Sequence, residues 1–295
     1  MPSPDNEFDV GSETKTLSLW GKHLGPAGCD RLIKEVLFSH RCLTSIELDW
    51  NGLEDLGACA LAAAIKENGA LPLVTLSLVG NSIGALGAKA VGDLLPGPPQ
   101  AASGNLTALP GALDAGRLSL PGTEAGSSSP SSYVCLIRDL NLECNVVADE
   151  GVTALCDGLS TNTSVTMLAL GRNSLTAAGA TSLGTMLQTN STISSLSFEH
   201  NTIGPDGASA LSSSLKKNST LTKLNLWQTG IMAEGARSLA GLLLNPAEPV
   251  KPHHHSGGGA RARSGSLDVV QCVEVSGQGD TGAAHGGETG NDRRS

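Results

Sequence analysis

Apolar and polar residues alternate in seven short stretches of the chain, and each stretch ends at one polar position. These positions are residues 22, 51, 81, 145, 173, 201 and 229. Apolar side chains stand three and five residues before each of them, an aliphatic residue stands two after, and a glycine stands six after. Because side chains alternate between the two faces of a strand, each stretch predicts a short β-strand with one buried face.

A helix is predicted after the glycine of each unit. Apolar residues recur seven, ten and fourteen residues after the polar position, as in Ala208, Leu211 and Leu215. Steps of three and four residues place these side chains in one stripe on one helical face. Uninterrupted units are 28 to 30 residues long, so each unit is one strand followed by one helix.

Such a period predicts a solenoid, in which each unit buries its apolar face against its neighbours. Helices are wider than strands, so we expect a curved α/β horseshoe of seven strand-helix repeats, with a parallel inner sheet and outer helices. The polar position is asparagine in five repeats, and we expect these side chains to form a ladder of hydrogen bonds to buried backbone groups. The ladder residues are Asn51, Asn81, Asn145, Asn173 and Asn201.

Two stretches, LNLWQTGIMAEGARSLAGLLL and LALGRNSLTAAGATSLGTML, carry a resemblance to a known family. The chain resembles leucine-rich repeats of the ribonuclease-inhibitor type, such as the arrays of NOD-like receptors, over residues 16–95 and 136–245. The resemblance implies a non-enzymatic scaffold that binds a protein partner on its concave strand face. It also leaves two alternatives, a small-GTPase regulator similar to the Ran GTPase-activating protein and a structural repeat protein of cilia or the cytoskeleton.

Breaks in the period divide the chain into segments. Residues 1–15 are a polar N-terminal segment, 16–95 hold repeats 1 to 3, 96–135 are an insertion, 136–245 hold repeats 4 to 7, and 246–295 are a tail. Both the insertion and the tail are rich in proline, glycine and serine, so we expect them to be disordered. A degenerate repeat around Leu113–Leu120 is one alternative for the insertion, and translated non-coding sequence is another.

Neither end of the array shows a recognisable cap, which suggests a piece of a longer array. The β-prone stretch VVQCVEV at residues 269–275 is a candidate cover for the last repeat. The repeats contain three Asn-x-Ser/Thr motifs, which begin at Asn162, Asn190 and Asn218. All three fall between a helix and the next strand, where turn chemistry explains them better than glycosylation.

The amino-acid composition further limits the classes of partner and the cellular location that fit the chain. The net charge of −9 argues against a nucleic-acid partner. The first ten residues lack the apolar core of a secretory signal, and no apolar run is long enough to cross a membrane. The seven cysteines show no disulfide spacing, so we expect a cytoplasmic protein whose cysteines are reduced and mostly buried.

No enzyme signature, cofactor motif or metal-ligand set emerges from the sequence. The stretch GNSIGALGAKA superficially suggests a phosphate loop, but it aligns with the other repeats and is therefore structural. The histidines at 253–255 fit a low-complexity tail better than a metal site. We therefore predict no enzymatic activity, no cofactor and no metal.

The concave strand face is the predicted functional surface, because its residues include five acids, one base and a tryptophan at each end. The candidate partner-binding residues are Trp20, Glu47, Asp49, Asp139, Glu143, Glu199 and Trp227. Members of the resembled family grip proteins with this face, which here implies a basic partner anchored by tryptophan and steered by carboxylates. The alternative is that these polar residues only keep a concave surface soluble. Partner identity and oligomeric state are not encoded in any pattern of the sequence.

Overall fold

The computed structural model describes residues 8, 11, 13–69, 71–95, 135–244 and 268–270. Strands and helices alternate through these residues. The strands are β1 (Thr16–Ser18), β2 (Ser45–Glu47), β3 (Thr75–Ser77), β4 (Asp139–Asn141), β5 (Met167–Ala169), β6 (Ser195–Ser197), β7 (Lys223–Asn225) and β8 (Asp268–Val270). The helices are α1 (Gly25–Leu32), α2 (Glu54–Asn68), α3 (Ala85–Leu94), α4 (Ala148–Thr161), α5 (Ala177–Leu187), α6 (Gly204–Leu215) and α7 (Met232–Leu244). A π-helical turn, Ile33–Leu37, extends α1.

All eight strands form one parallel sheet in chain order, which confirms the predicted α/β solenoid of seven strand-helix repeats. Each strand pairs with the next at the same repeat position, as Leu168 with Leu196 and Leu196 with Leu224. The central residue of every strand from β1 to β7 is buried, and these residues join the inner faces of the helices in one continuous core. Because the core runs between repeats, each repeat depends on its neighbours for burial.

The array continues directly across the insertion. Strand β3 pairs with β4, with Thr75 opposite Asp139, and the backbone N–H of Asn81 donates to Oδ1 of Asn145 at 2.9 Å. No strand of the described residues lies between β3 and β4, and the alternative of a degenerate repeat around Leu113–Leu120 falls outside the described residues. The insertion itself lies outside the described residues, apart from Cys135, and so does most of the tail.

The five predicted ladder asparagines are buried, and each connects two consecutive repeats. In a representative rung, Oδ1 of Asn201 accepts hydrogen bonds from the backbone N–H groups of Asn173 at 3.0 Å and Leu175 at 2.9 Å. Its Nδ2 donates to the carbonyls of Leu170 at 2.8 Å and Phe198 at 2.6 Å. The side chains thus satisfy backbone groups that the fold removes from water.

A second asparagine ladder lies where the helices end, and the sequence pattern did not predict it. Its members include Asn162, Asn190 and Asn218, all of them buried. Nδ2 of Asn190 donates to the carbonyl of Leu159, and its Oδ1 accepts from the N–H of Ile193, both at 2.9 Å. Asn218 makes the same pair of bonds one repeat later. These asparagines open the three Asn-x-Ser/Thr motifs of the repeats, so the preference for turn chemistry is confirmed.

Described residues lie against both ends of the array, where the sequence shows no recognisable cap. Phe8 is buried in the core, and the guanidinium carbon of Arg31 lies 5.8 Å from the centre of its ring. At the other end, β8 pairs with β7, with Val269 opposite Leu224. A segment of the tail thus covers the strand edge that the last repeat leaves, as its β-propensity suggested.

The cysteines of the described residues carry free thiols. Burial raises the pKa of the Cys29 thiol to about 11 and that of the Cys156 thiol to about 12. Cys42 is exposed, and Cys59 and Cys144 are half-buried, so the prediction of mostly buried cysteines is wrong for these three.

Thiol labelling at pH 8 should separate these groups. A short exposure of the folded chain to iodoacetamide should modify Cys42 and leave Cys29 and Cys156 intact, because the reagent needs both access and a thiolate. Peptide mass spectrometry would measure the modified fraction at each site, with a urea-unfolded sample as the control in which all sites react. Rapid modification of Cys156 in the folded chain would contradict its burial.

Candidate functional site

One row of side chains crosses the concave face at the ends of the strands, two residues before each polar position. This row, called the acidic row below, consists of Trp20, Asp49, Val79, Glu143, Gly171, Glu199 and Trp227. Its backbone is held in register, because the carbonyl of each member after Trp20 accepts a hydrogen bond from the preceding repeat, as Glu143 O does from Gly80 N at 3.0 Å. Neighbouring members are therefore one strand spacing apart, about 4.8 Å.

A pocket of about 290 Å³ lies on the concave face between β2 and β5. Glu47, Asp49 and Asp139 contribute carboxylates to its lining, and Thr75 and Ser77 of β3 lie between them. Its volume is at the lower limit of small-ligand sites, which span roughly 300–1,000 Å³. The pocket therefore suits a single long side chain better than a whole cofactor.

Hydrogen bonds from neighbouring residues position two of these carboxylates. Oδ1 of Asp49 accepts from the Ser77 hydroxyl at 2.7 Å and from the N–H of Val79 at 3.0 Å. Oε1 of Glu47 accepts from the hydroxyl of Ser45 at 3.1 Å. These contacts engage one oxygen of each group, so the second oxygen is available to a donor from outside the chain.

Glu143 and Glu199 approach each other above Gly171. A Cβ atom on that glycine would lie 2.8 Å from Cγ of Glu199 and 3.3 Å from Oε1 of Glu143. Burial, and then the neighbouring charge of Glu199, raise the pKa of the Glu143 carboxyl, while Arg172 acts in the opposite direction. Oε2 of Glu199 also accepts from Nδ2 of Asn225 at 2.7 Å. The carboxylates thus crowd together in a way that a bound cation would relieve.

Aromatic residues stand at both ends of the acidic row. Trp20 is 66% exposed, whereas Trp227 is half-buried and meets the ring of His200 edge-on, with 4.5 Å between the ring centres. Nε2 of His200 lies 2.9 Å from Nη2 of Arg172, so these two side chains are hydrogen-bonded to each other. Six strand spacings separate the two tryptophans, or about 29 Å.

Trp50 is a surface aromatic that the sequence reasoning missed. It is 49% exposed, and its ring lies over Gly80, where an added Cβ would come within 2.5 Å of the ring. The signal was present as a tryptophan before the ladder asparagine of repeat 2, with a glycine at the same place in repeat 3. Strand alternation assigns positions two, four and six residues before the asparagine to the concave face, and Trp50 stands one before it.

The carboxylates of the concave face have no ion-pair partner within the described part of the chain. The ion pairs shorter than 4.0 Å there, Lys34 with Asp30 and Lys89 with Asp93, lie on the helical side. The predicted residues thus form three groups. Glu47, Asp49 and Asp139 line the pocket, Glu143 and Glu199 meet above Gly171, and Trp20 and Trp227 stand at the two ends. The five ladder asparagines lie beneath this surface.

The chain is similar to leucine-rich repeats. The family model described as Leucine Rich repeat matches residues 39–62, 135–156, 189–212 and 217–240, which fall in repeats 2, 4, 6 and 7. Comparison with curated protein sequences gives no match. Among solved structures, "Leiomodin-1 Actin-Binding Site 2 (ABS2)" is 28% identical over 32% of this chain, with a TM-score of 0.30. The similar region spans 56% of that structure. No helix of the described residues is long and apolar enough to cross a membrane.

Proposed function

We propose that this leucine-rich repeat array is a non-enzymatic interaction module that binds a basic segment of a protein partner on its concave face. The observation that carries the proposal is the set of five carboxylates on this face, which lack an ion-pair partner within the described chain. Such a surface attracts cationic partners and speeds their association. The tryptophans at the ends of the acidic row supply the apolar anchors that binding energy requires.

Several features favour a partner over simple solubility. Carboxylates that only solvate a surface gain nothing from crowding, yet Glu143 and Glu199 converge above Gly171, where burial and then the charge of Glu199 raise the pKa of Glu143. Crowding of this kind costs free energy in the isolated chain and is relieved when a cation binds between the groups. The pocket that Asp139 helps to line offers a cavity for a cationic side chain.

Other residues bear on the cellular compartment of the module and on its type of repeat. Free thiols and buried Asn-x-Ser/Thr asparagines favour a cytoplasmic protein over a secreted one. The complete helix in each 28-to-30-residue repeat favours the ribonuclease-inhibitor type of array. The arrangement has the character of a scaffold, in which the sheet holds recognition groups at fixed spacing.

Charge reversal on the concave face should abolish partner capture. We expect Glu47→Lys/Asp139→Lys/Glu143→Lys to retain less than about a tenth of the partner bound by the wild-type chain, because cationic segments are repelled. Affinity capture from native cells with quantitative mass spectrometry is the measurement. Each reversal adds two charge units, so the net charge changes from −9 to −9 + 6 = −3.

The matched control is Glu35→Lys/Glu67→Lys/Glu150→Lys, which makes the same change in net charge at exposed positions on the helices. Circular dichroism would show that both variants fold. The control should capture the wild-type set of partners. An identical set from all three proteins would reject the acidic concave face as the binding surface.

A further inference from the structure

Four large apolar side chains are exposed at the edge of the array where strands end and helices begin. Trp50, Leu56, Leu86 and Val146 are between 49% and 73% exposed, and they belong to the consecutive repeats 2, 3 and 4. This group is called the loop patch below. It is separate from the concave face, because none of the four stands two, four or six residues before a ladder asparagine.

Two members of the loop patch reach the strand-to-helix loop of repeat 3 from opposite sides. The ring of Trp50, in repeat 2, lies over Gly80 at the start of this loop. From repeat 4, the backbone N–H of Val146 donates to the carbonyl of Ile83 at 2.9 Å. Both side chains therefore border the same loop, although 96 residues separate them in the sequence.

The two leucines of the loop patch lie on adjacent helices. Leu56 is in the first turn of α2, and Leu86 is in the first turn of α3. The two helices approach closely beside them, since a Cβ atom on Gly87 would lie 3.0 Å from that of Ala58. The loop patch is therefore one surface, and exposed apolar surfaces of this kind mark interaction sites.

The fold does not require apolar side chains at these positions, because repeats 5 to 7 form the same strands and helices without them. The place of Trp50 is occupied there by polar side chains, namely Arg172, His200 and Gln228. The place of Leu56 and Leu86 is occupied by Ala178, Asp206 and Glu234, and that of Val146 by Ser174, Thr202 and Gly230. The apolar character of repeats 2 to 4 at this edge thus serves a purpose other than folding.

Charge determines which kind of partner fits the loop patch. The segments that carry it, residues 50–56, 80–86 and 144–150, contain four acidic residues and no lysine or arginine. Glu54 and Glu150 are exposed in repeats 2 and 4, on either side of the repeat 3 loop. This surface repels the phosphates of nucleic acids and anionic membranes, and it attracts a protein surface that has lysine or arginine beside its apolar residues.

An α-helix fits this edge better than an extended segment. Extended segments bind by adding main-chain hydrogen bonds to a free sheet edge. Here backbone N–H groups are engaged between repeats, since Trp50 N donates to Val79 O at 2.7 Å and Gly80 N donates to Glu143 O at 3.0 Å. A helix instead presents apolar side chains three and four residues apart on one face and needs no main-chain partner.

We propose that the loop patch binds an amphipathic helix of a protein partner, with an apolar face against the patch and lysine or arginine residues beside that face. The apolar contact supplies most of the affinity, and the acids select a cationic helix, although each exposed carboxylate contributes little alone. This surface is additional to the concave face of the proposed function, so the array has two separate binding surfaces.

Two fluorescein-labelled peptides of identical composition test the conformation of the occupant. The helical peptide is Leu-Lys-Lys-Leu-Leu-Lys-Leu-Leu-Lys-Lys-Leu-Leu-Lys-Leu, and the strand peptide, with alternating leucines, is Leu-Lys-Leu-Lys-Leu-Lys-Leu-Leu-Lys-Leu-Lys-Leu-Lys-Leu. Fluorescence anisotropy with the full-length chain at physiological salt would give both dissociation constants, at concentrations where the peptides are monomeric. We expect the helical peptide to bind at least about fivefold more tightly. A peptide with glutamate in place of lysine should show no binding.

Removal of the two leucines tests the surface itself. Leu56→Gln/Leu86→Gln keeps the net charge at −9 and should bind the helical peptide at least about tenfold more weakly. The matched control, Leu136→Gln/Met232→Gln, removes two exposed apolar side chains outside the loop patch and should bind within about twofold of the wild-type chain. Circular dichroism would show that both variants fold. Bound helical peptide should slow hydrogen exchange in residues 80–86.

The outcomes separate this inference from the proposed function. Equal binding of the helical peptide by wild type and Leu56→Gln/Leu86→Gln would overturn the loop patch as a binding surface. Equal binding of the two peptides would overturn the helical occupant. The concave charge-reversal variant should retain the helical peptide within about threefold, because exposed charges at a distance are screened. Loss of the peptide in that variant alone would assign it to the concave face and overturn the inference.

Other occupants of the loop patch have their own signatures. A wild-type dimer in sedimentation velocity that becomes a monomer in Leu56→Gln/Leu86→Gln would assign the patch to a second copy of this chain. Binding of the wild-type chain to vesicles of phosphatidylcholine and phosphatidylserine, lost in the same variant, would assign it to a membrane. Either result would overturn the partner helix.

Discussion

Replacing Asn145 by alanine should lower the free energy of unfolding by about 3 kcal/mol. Oδ1 of Asn145 accepts from the N–H groups of Asn81 at 2.9 Å and Ile83 at 3.0 Å, and its Nδ2 donates to the carbonyls of Leu78 and Leu142, both at 2.9 Å. Alanine leaves these buried backbone groups without a partner, and each such group costs about 1–3 kcal/mol. Urea unfolding followed by circular dichroism would measure the loss.

The same repeat position provides its own control. Lys22 occupies this position in repeat 1. It supplies only its backbone N–H to the ladder, and that N–H donates to Oδ1 of Asn51 at 2.9 Å. Lys22→Ala should therefore change stability by less than about 0.5 kcal/mol. If Asn145→Ala were as stable as Lys22→Ala, the side-chain ladder would not be what joins repeats 3 and 4.

Gly158→Ala should destabilise the array by about 3 kcal/mol, at the upper end of what overpacking usually costs. Helices α3 and α4 touch at this glycine so closely that a Cβ atom would lie 2.0 Å from the carbonyl oxygen of Gly92. That oxygen belongs to the backbone of α3, so relief requires the two helices to separate and the buried Leu155 and Leu159 to shift. Hydrogen exchange would show the loss as faster exchange in α3 and α4.

Gly241→Ala is the matched control on α7. No atom lies within 4 Å of a Cβ built at that glycine, and its place on a helix favours alanine by roughly 0.5–1 kcal/mol. The two substitutions add the same methyl group, so opposite signs of the stability change are expected. A neutral Gly158→Ala would mean that the contact between α3 and α4 adjusts without loss of packing.

The fold was predictable because its determinants repeat. Leucine at strand positions, asparagine at the turn and glycine six residues later recur with constant spacing. Repeats with such a periodic hydrophobic pattern bury their apolar residues by stacking into a solenoid. The direct pairing of β3 with β4 followed from the same register. The contact of Gly92 with Gly158 did not, because these glycines stand 11 and 13 residues after their asparagines and share no repeat position.

The sequence pattern also did not reveal the backbone conformation at one position of the repeat. The residue before the polar position has a positive φ in all seven repeats, with values from 51° to 66°. Glycine occupies this position in only two repeats, as Gly21 and Gly80. Residues such as Trp50 and Arg172 adopt the positive φ although they lack the conformational freedom of glycine. Hydrogen bonds between repeats impose this geometry, as when Trp50 N donates to Val79 O at 2.7 Å. Long-range bonds of this kind outweigh local preference and leave no signature in neighbouring residues.

The candidate site was predictable in its members and less so in their arrangement. Strand alternation alone assigned the acids to one face, since side chains two apart in a strand share a side. Convergence of Glu143 and Glu199 depends on Gly171 in the intervening strand, a relation between three repeats that no single repeat displays.

The second asparagine ladder has a consequence for the biogenesis of the chain. Nδ2 of Asn162, Asn190 and Asn218 donates to backbone carbonyls of the preceding repeat, and this nitrogen is also the atom to which an oligosaccharide would be attached. A sugar on any of the three would remove a donor and force a bulky group into the core. This fold and N-glycosylation at these motifs therefore exclude each other, and a glycosylating compartment would trap the nascent chain before its repeats close.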